Sequence, residues 1–189
     1  MGAGVVIGGV ALAAIAAFVW LTYNRLVAKR LATESSWSQI DVALRRRHDL
    51  IPTLAEAVKG YAGHERATFE NVAVARGAAV SEDGPPPARA AAEGRLGRAV
   101  GDLMAVAEAY PQLEATRNFS QLQDQLAETE DQIQITRRVY NDTVETYNTA
   151  IQVFPALIVA KLFGFGRREF FDAPAAAEAT PAIDLSAAG

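Results

Sequence analysis

The sequence predicts an all-α protein: an N-terminal transmembrane helix followed by an antiparallel, up-and-down bundle of about four long helices. Three observations carry this reading. Residues 1–23 contain no charged side chain, apolar residues then recur at steps of three and four along most of the chain, and no stretch alternates apolar and polar residues as a half-buried strand does.

The first element is MGAGVVIGGVALAAIAAFVWLTY, read as a membrane anchor over residues 1–23. About 20 apolar residues in a helix cover the hydrocarbon core of a bilayer, and a helix satisfies its own backbone there. Trp20 and Tyr23 end the run, where amphipathic rings favour the headgroup level. A cleaved signal peptide is the rival reading, with Ala11-Leu12-Ala13 or Ala14-Ile15-Ala16 as cleavage sites. The run is longer than the apolar region of a signal peptide and no Lys or Arg precedes it, which favours the anchor. Arg25, Lys29 and Arg30 follow directly, so the positive-inside rule directs the N-terminus outward and the remainder to the cytosol of a bacterial inner membrane. Gly4 and Gly8 have the spacing of a helix-dimer motif, although glycine is common in such helices.

Residues 24–155 read as the bundle. Trp37, Ile40, Leu44 and Arg47 step by three and four; Ile51, Leu54, Val58 and Tyr61 continue the stripe; Leu96, Val100, Leu103, Ala107 and Tyr110 make another. The longest runs from Phe119 through Leu126, Ile133, Tyr140 and Tyr147 to Phe154, a narrow seam that must be buried against neighbouring helices. Pro52 restricts the residue before it to extended backbone, which divides the first stripe into helices over roughly 25–48 and 52–80; the unbroken periodicity also fits one helix kinked at Pro52. Residues 81–87, SEDGPPP, form a loop. Tyr110-Pro111 ends a helix over 88–110, and Asn118 with Gln121 suits the start of a last helix over 118–153. Short connections make neighbours antiparallel, so the last helix returns to the bilayer. Residues 156–171 then form an amphipathic aromatic segment near the membrane, which either meets lipid or caps the open end of the core. Residues 172–189, rich in Ala and Pro with three acids and no base, read as a disordered tail.

Composition narrows the chemistry. There is no cysteine, which excludes disulfides, thiolate nucleophiles and Cys-ligated metals, and there are only two histidines. The net charge of -4 offers no basic field for nucleic acid. Phosphate-binding, nucleophile-elbow and dinucleotide fingerprints are absent. His48-Asp49 and His64-Glu65 fall short of the three or four convergent ligands that a metal needs. No cofactor, metal or catalytic residue is expected, and the chain reads as a protein that is not an enzyme.

The chain resembles the LemA family across roughly residues 23–171. The resemblance is carried by YNRLV at 23–27, WSQIDVALRRRHDLIPTLAEAVKGYAGHE at 37–65, EAYPQLEATRNFSQLQDQLAETEDQI at 108–133, YNDTVETYNTAIQVFP at 140–155 and FGFGRREFF at 163–171. It implies one N-terminal membrane helix and an up-and-down bundle. It also implies a scaffold or adaptor role beside membrane proteases or envelope-stress proteins, and it brings no catalytic mechanism.

Two groups of residues are candidates for interaction. Arg45, Arg46 and Arg47 occupy successive helical positions and point around roughly 200° of the helix, so they cannot all face one partner. Arg47 falls on the apolar stripe, where either it pairs with a carboxylate inside the bundle, Glu130 being one candidate, or the helix has already ended. Glu128, Glu130 and Asp131 themselves read as the solvated face of the last helix. The second group is Phe163, Phe165, Arg167, Arg168, Phe170 and Phe171, a mixture of rings and cations suited to lipid or to the end of the core. Tyr140-Asn141 and Tyr147-Asn148 repeat at seven residues, with the tyrosines in the seam and the asparagines beside it. The expected partners are the lipid bilayer, other proteins and, in an alternative reading, further copies of the chain in a homo-oligomer that organises the membrane.

Overall fold

The computed structural model describes residues 2–171; the expected tail over 172–189 lies outside the described residues. The fold is all-α, as the sequence predicts. Six helices follow one another: α1 (Gly2–Lys59), α2 (Arg66–Ser81), α3 (Pro86–Glu108), α4 (Pro111–Glu114), α5 (Arg117–Ala150) and α6 (Ala156–Leu162).

The division expected at Pro52 does not occur. α1 is a single 58-residue helix that runs from the apolar N-terminus through Pro52 to Lys59. A proline inside a helix removes the N–H that would bond the carbonyl four residues earlier, here that of His48. Arg76 on α2 replaces the missing donor: its Nε donates to the His48 carbonyl oxygen at 2.7 Å. The orphaned acceptor is thereby satisfied, and burial of Ile51, Leu54 and Val58 on one continuous face holds the helix together across the proline. The reversal of the chain falls instead at residues 60–65.

α5 runs antiparallel to α1 for most of its length. Ser36 Oγ meets Thr143 Oγ1 at 2.8 Å, Trp37 lies against Tyr140, and Arg46 reaches Glu128, which fixes the register. Thr116, not Asn118, precedes the first turn of α5. α2 and α3 form a hairpin that packs on the far half of this pair. There the core is mainly aliphatic, with Ile51, Leu54, Leu96, Leu103 and Leu113 each at most 2% exposed and Phe119 among them. Each such side chain contributes about 2 kcal/mol through removal of apolar surface from water. Buried threonine hydroxyls on the seam are satisfied within their own helix, as when Thr129 Oγ1 donates to Gln125 O at 2.7 Å.

The hairpin reaches the half nearer the N-terminal run at its edge, through Ala90 at the start of α3, and leaves the rest of it uncovered. Its core consists of Ile40, Leu44, Ile133, Tyr140 and Val144, continuing into Leu26, Tyr147 and Ile151. Segments beyond α5 complete it: α6 packs Val159 and Ala160 onto Leu26 and Ile151, and the chain after α6 supplies Phe171.

Within Gly2–Lys59 an 18-residue stretch is apolar enough to cross a membrane, and none of it is buried inside the protein. It is the one such helix among the described residues.

Candidate functional site

Two assemblies gather the polar and aromatic residues singled out in the sequence. The first lies inside the bundle at the level of the arginine triplet, and helical geometry sends the three arginines to different surroundings. Arg45 is exposed and pairs with Asp41 one turn earlier, and Arg46 spans to Glu128 on α5 at 2.8 Å. Arg47 points inward and is 6% exposed. Its Nε lies 2.8 Å from Glu130, which settles the choice left open in the sequence in favour of a carboxylate partner, and its Nη1 donates to Glu93 on α3 at 3.4 Å. Glu93, itself buried, also meets His48 Nε2 at 2.8 Å. Gly97, one turn along α3, leaves the room this requires: a Cβ there would stand 2.9 Å from Arg47 Nη2.

Sequence reading missed Glu93, because an acid on a helix looks like part of a solvated face until a cation is known to lie opposite. Buried charges persist only when paired, and here Arg47 is paired with Glu93 and Glu130 of the bundle itself. Beside it opens a polar groove of about 560 Å³, whose walls include Asp41, Asp49 and Asp83 alternating with Arg45, Arg76 and Arg89. Arg89 pairs with Asp41 and also lies over the Trp37 ring. Charges of both signs line the groove in equal number, so it favours no ion of one sign. Among the described residues no group of three or more His, Cys, Asp or Glu could hold a metal.

The second assembly is the C-terminal strap. Beyond α6 the chain turns at Gly164, whose φ of +70° suits a residue without a Cβ. Residues 165–171 then run back along α5, away from its C-terminal end. The two Tyr-Asn pairs, seven residues apart on α5, grip the main chain of this strap. Tyr147 Oη donates to the Gly166 carbonyl and Tyr140 Oη to that of Glu169, each at 2.9 Å. The Asn148 amide bonds Arg168 twice, accepting from its N–H at 2.9 Å and donating to its carbonyl at 2.8 Å. Asn141 accepts from the Phe171 N–H at 3.0 Å. Burial pushes both tyrosine hydroxyls above their ordinary pKa, with the Arg168 guanidinium pulling the other way. Arg168 also reaches Glu34 on α1 at 2.8 Å, which ties the strap to both long helices.

The strap separates the aromatic candidates into two groups. Phe171 is buried against Trp37 and under the Arg137 guanidinium, and Phe170 packs on the same core. These two rings sit 14 positions along α1 from Tyr23, well away from the apolar run. Phe163 and Phe165 instead meet the Tyr23 ring edge to face, at ring distances of 5.0 and 5.7 Å. Arg167 is exposed. The asparagines were legible as a heptad repeat, but a side chain that binds a later stretch of backbone leaves no mark in that repeat.

An all-α bundle with a self-neutralised interior, hung from a helix that could cross a membrane, is the class of protein these features define. The LemA family model matches residues 36–185, and the chain belongs to that family. It is 28% identical to the magnetosome proteins MamQ 1 and MamQ 2 of Paramagnetospirillum magneticum, an alignment covering 94% of this chain and 74% of each relative. Magnetosome protein MamQ of Magnetospirillum gryphiswaldense is 27% identical, over 86% of this chain and 69% of its own length.

Proposed function

We propose that the protein is a scaffold anchored in the bacterial cell membrane, with its N-terminus outside and its bundle in the cytosol, and that it acts by binding other proteins. The observation that carries this reading is the continuity of α1. One helix joins the membrane-spanning candidate to the far tip of the bundle, and residues 24–59 alone extend about 50 Å. A binding surface on the bundle is thus held at a set height above the bilayer. The groove lined by alternating Asp and Arg is the surface best suited to a polar protein segment, and partners among membrane proteases or envelope-stress proteins agree with the family's expected role.

The test is crosslinking of the full-length protein in its native membrane, comparing wild type with a charge-reversed groove (Asp49→Lys with Asp83→Lys). Specific protein adducts that disappear in the variant are expected; identical adduct patterns would sink the groove, and no adducts at all would sink the scaffold. Sidedness is read from single cysteines at Ala3 and Val42, both exposed. In intact cells a membrane-impermeant maleimide should label the first alone, and labelling of Val42→Cys would overturn the cytosolic placement.

A second reading, self-assembly, draws on one feature. On the face of the α1–α5 pair away from the strap, Val42 and Ile135 are 69% and 57% exposed, and a largely apolar groove of about 440 Å³ runs nearby beside Ala28, Ala32 and Val139. An oligomer in nanodiscs that becomes monomeric on Val42→Asp with Ile135→Asp supports it, and a wild-type monomer rules it out.

A further inference from the structure

α6 has two faces. Its inner face, Val159 and Ala160, joins Leu26, Tyr147 and Ile151 in one cluster, which Val19 borders. Val19 belongs to the charge-free run and Leu26 lies just beyond it. α6 therefore stands level with the stretch of α1 where hydrocarbon gives way to headgroups. The contact of Tyr23 with Phe163 and Phe165 fits the same height.

The outer face is apolar as well. Ile158 and Leu162 lie one turn apart on it and are 59% and 73% exposed, and Phe154, in the turn just before α6, is 76% exposed. Phe163 beside them is 49% exposed, and Lys161 and Arg167 flank the patch. A short helix with apolar residues on its outer face and cations at its margin is the pattern of an element lying in the bilayer interface. Val42 and Ile135, the exposed apolar pair on the bundle, lie at a level about 30 Å beyond Tyr23 along α1, so the same surroundings cannot cover both.

We infer that residues 154–163 form a second, monotopic membrane contact. The patch of Phe154, Ile158 and Leu162 sits at the headgroup–acyl boundary of the leaflet in which α1 ends, and Lys161 and Arg167 meet anionic headgroups. The inference rests on the reading that α1 spans the bilayer. It adds a consequence: one spanning helix leaves the bundle free to turn about its axis, whereas two contacts with the same leaflet fix which side of the bundle faces the membrane.

The absence of cysteine makes the test direct. The full chain, carrying a single environment-sensitive fluorophore on Cys at Leu21, Ile158, Leu162 or Val42 in turn, is placed in nanodiscs of phosphatidylcholine and phosphatidylglycerol. The quencher is a doxyl group near the carbonyl end of the lipid acyl chain. Emission at positions 158 and 162 should fall as far as at 21, with none lost at 42. Quenching at 21 but not at 158 or 162 overturns the second contact while α1 still spans. No quenching at 21 overturns the spanning reading and this inference with it. Fluorophores at 158 and 162 shielded from both the lipid quencher and aqueous iodide would show that protein covers the patch, which also overturns the inference.

Discussion

The far half of the bundle is closed by the α2–α3 hairpin, the near half by α6 and a strap. Both bury a continuous seam of α1 and α5, but by different chemistry. Far from the membrane segment, the α2–α3 hairpin supplies aliphatic residues such as Leu96 and Leu103, and the packing is side chain on side chain. Near it, the strap has no apolar helical face to offer. It is held by hydrogen bonds from Tyr140, Asn141, Tyr147 and Asn148 to its main chain, with Phe171 as its one fully buried ring. Two helices alone leave half of their seam bare. A short extended segment covers it only if its backbone polar groups find partners, and the two Tyr-Asn pairs provide them.

Four substitutions or conditions test this contrast. The largest effect is expected at Arg47. Arg47→Ala takes the guanidinium from the buried Glu93 carboxylate, leaving it His48 alone, and should cost about 3 kcal/mol in denaturant unfolding of the whole bundle. Replacing Arg47 and Glu93 together by Met and Leu should cost much less; if it costs as much, the charge cluster is not what Arg47 satisfies. Next is Asn148→Ala, which removes both bonds to Arg168 and should cost about 1–3 kcal/mol. Here the loss should be local: hydrogen exchange should quicken at the Arg168 and Phe171 amides and stay slow in α2 and α3. Equal acceleration in the hairpin would mean that the two halves do not differ in the way described.

Arg76→Ala should cost about 1–2 kcal/mol by leaving the His48 carbonyl unpaired, and Pro52→Ala in the same chain should recover most of it by restoring the helical donor. Failure of the second change to rescue the first would remove Arg76 from that role. The smallest effect is titration of the strap. The hydroxyls of Tyr140 and Tyr147 have pKa values raised by burial above the ordinary value near 10. Their contribution is therefore full below pH 10 and lost as pH rises through the raised folded-state values. Exchange of the strap amides, corrected for the intrinsic rate, should accelerate as pH rises through that range in the wild type but not in the Tyr140→Phe, Tyr147→Phe chain; the same pH dependence in both would mean that the hydroxyls do not hold the strap.

What the sequence disclosed and what it hid follow from the range of the interactions. Periodicity gave the all-α bundle and the return of the last long helix, because helical faces can be counted; the same counting put Arg47 on an apolar stripe but Glu130 on a solvated face, so it did not show their pairing. Pro52 misled for a specific reason. The breaking residue and the missing bond are both local, whereas the donor that repairs it, Arg76, sits 28 residues onward on another helix. Phe170 and Phe171 were grouped with Phe163 and Phe165 because all four lie within nine positions. The turn at Gly164 and the grip of the asparagines divide them between the core and the level of Tyr23, and neither effect has a periodic signature.

The unbroken α1 makes the molecule a lever. Between Val10 and Lys59 it contains no glycine, and its one proline is braced by Arg76, so nothing along it invites a hinge. A spanning helix tilts to match the thickness of its bilayer. Over the roughly 50 Å from Tyr23 to Lys59, a ~10° tilt displaces the far tip sideways by about 9 Å, so the position of the bundle's outer end becomes a mechanical readout of the membrane in which its first helix is seated.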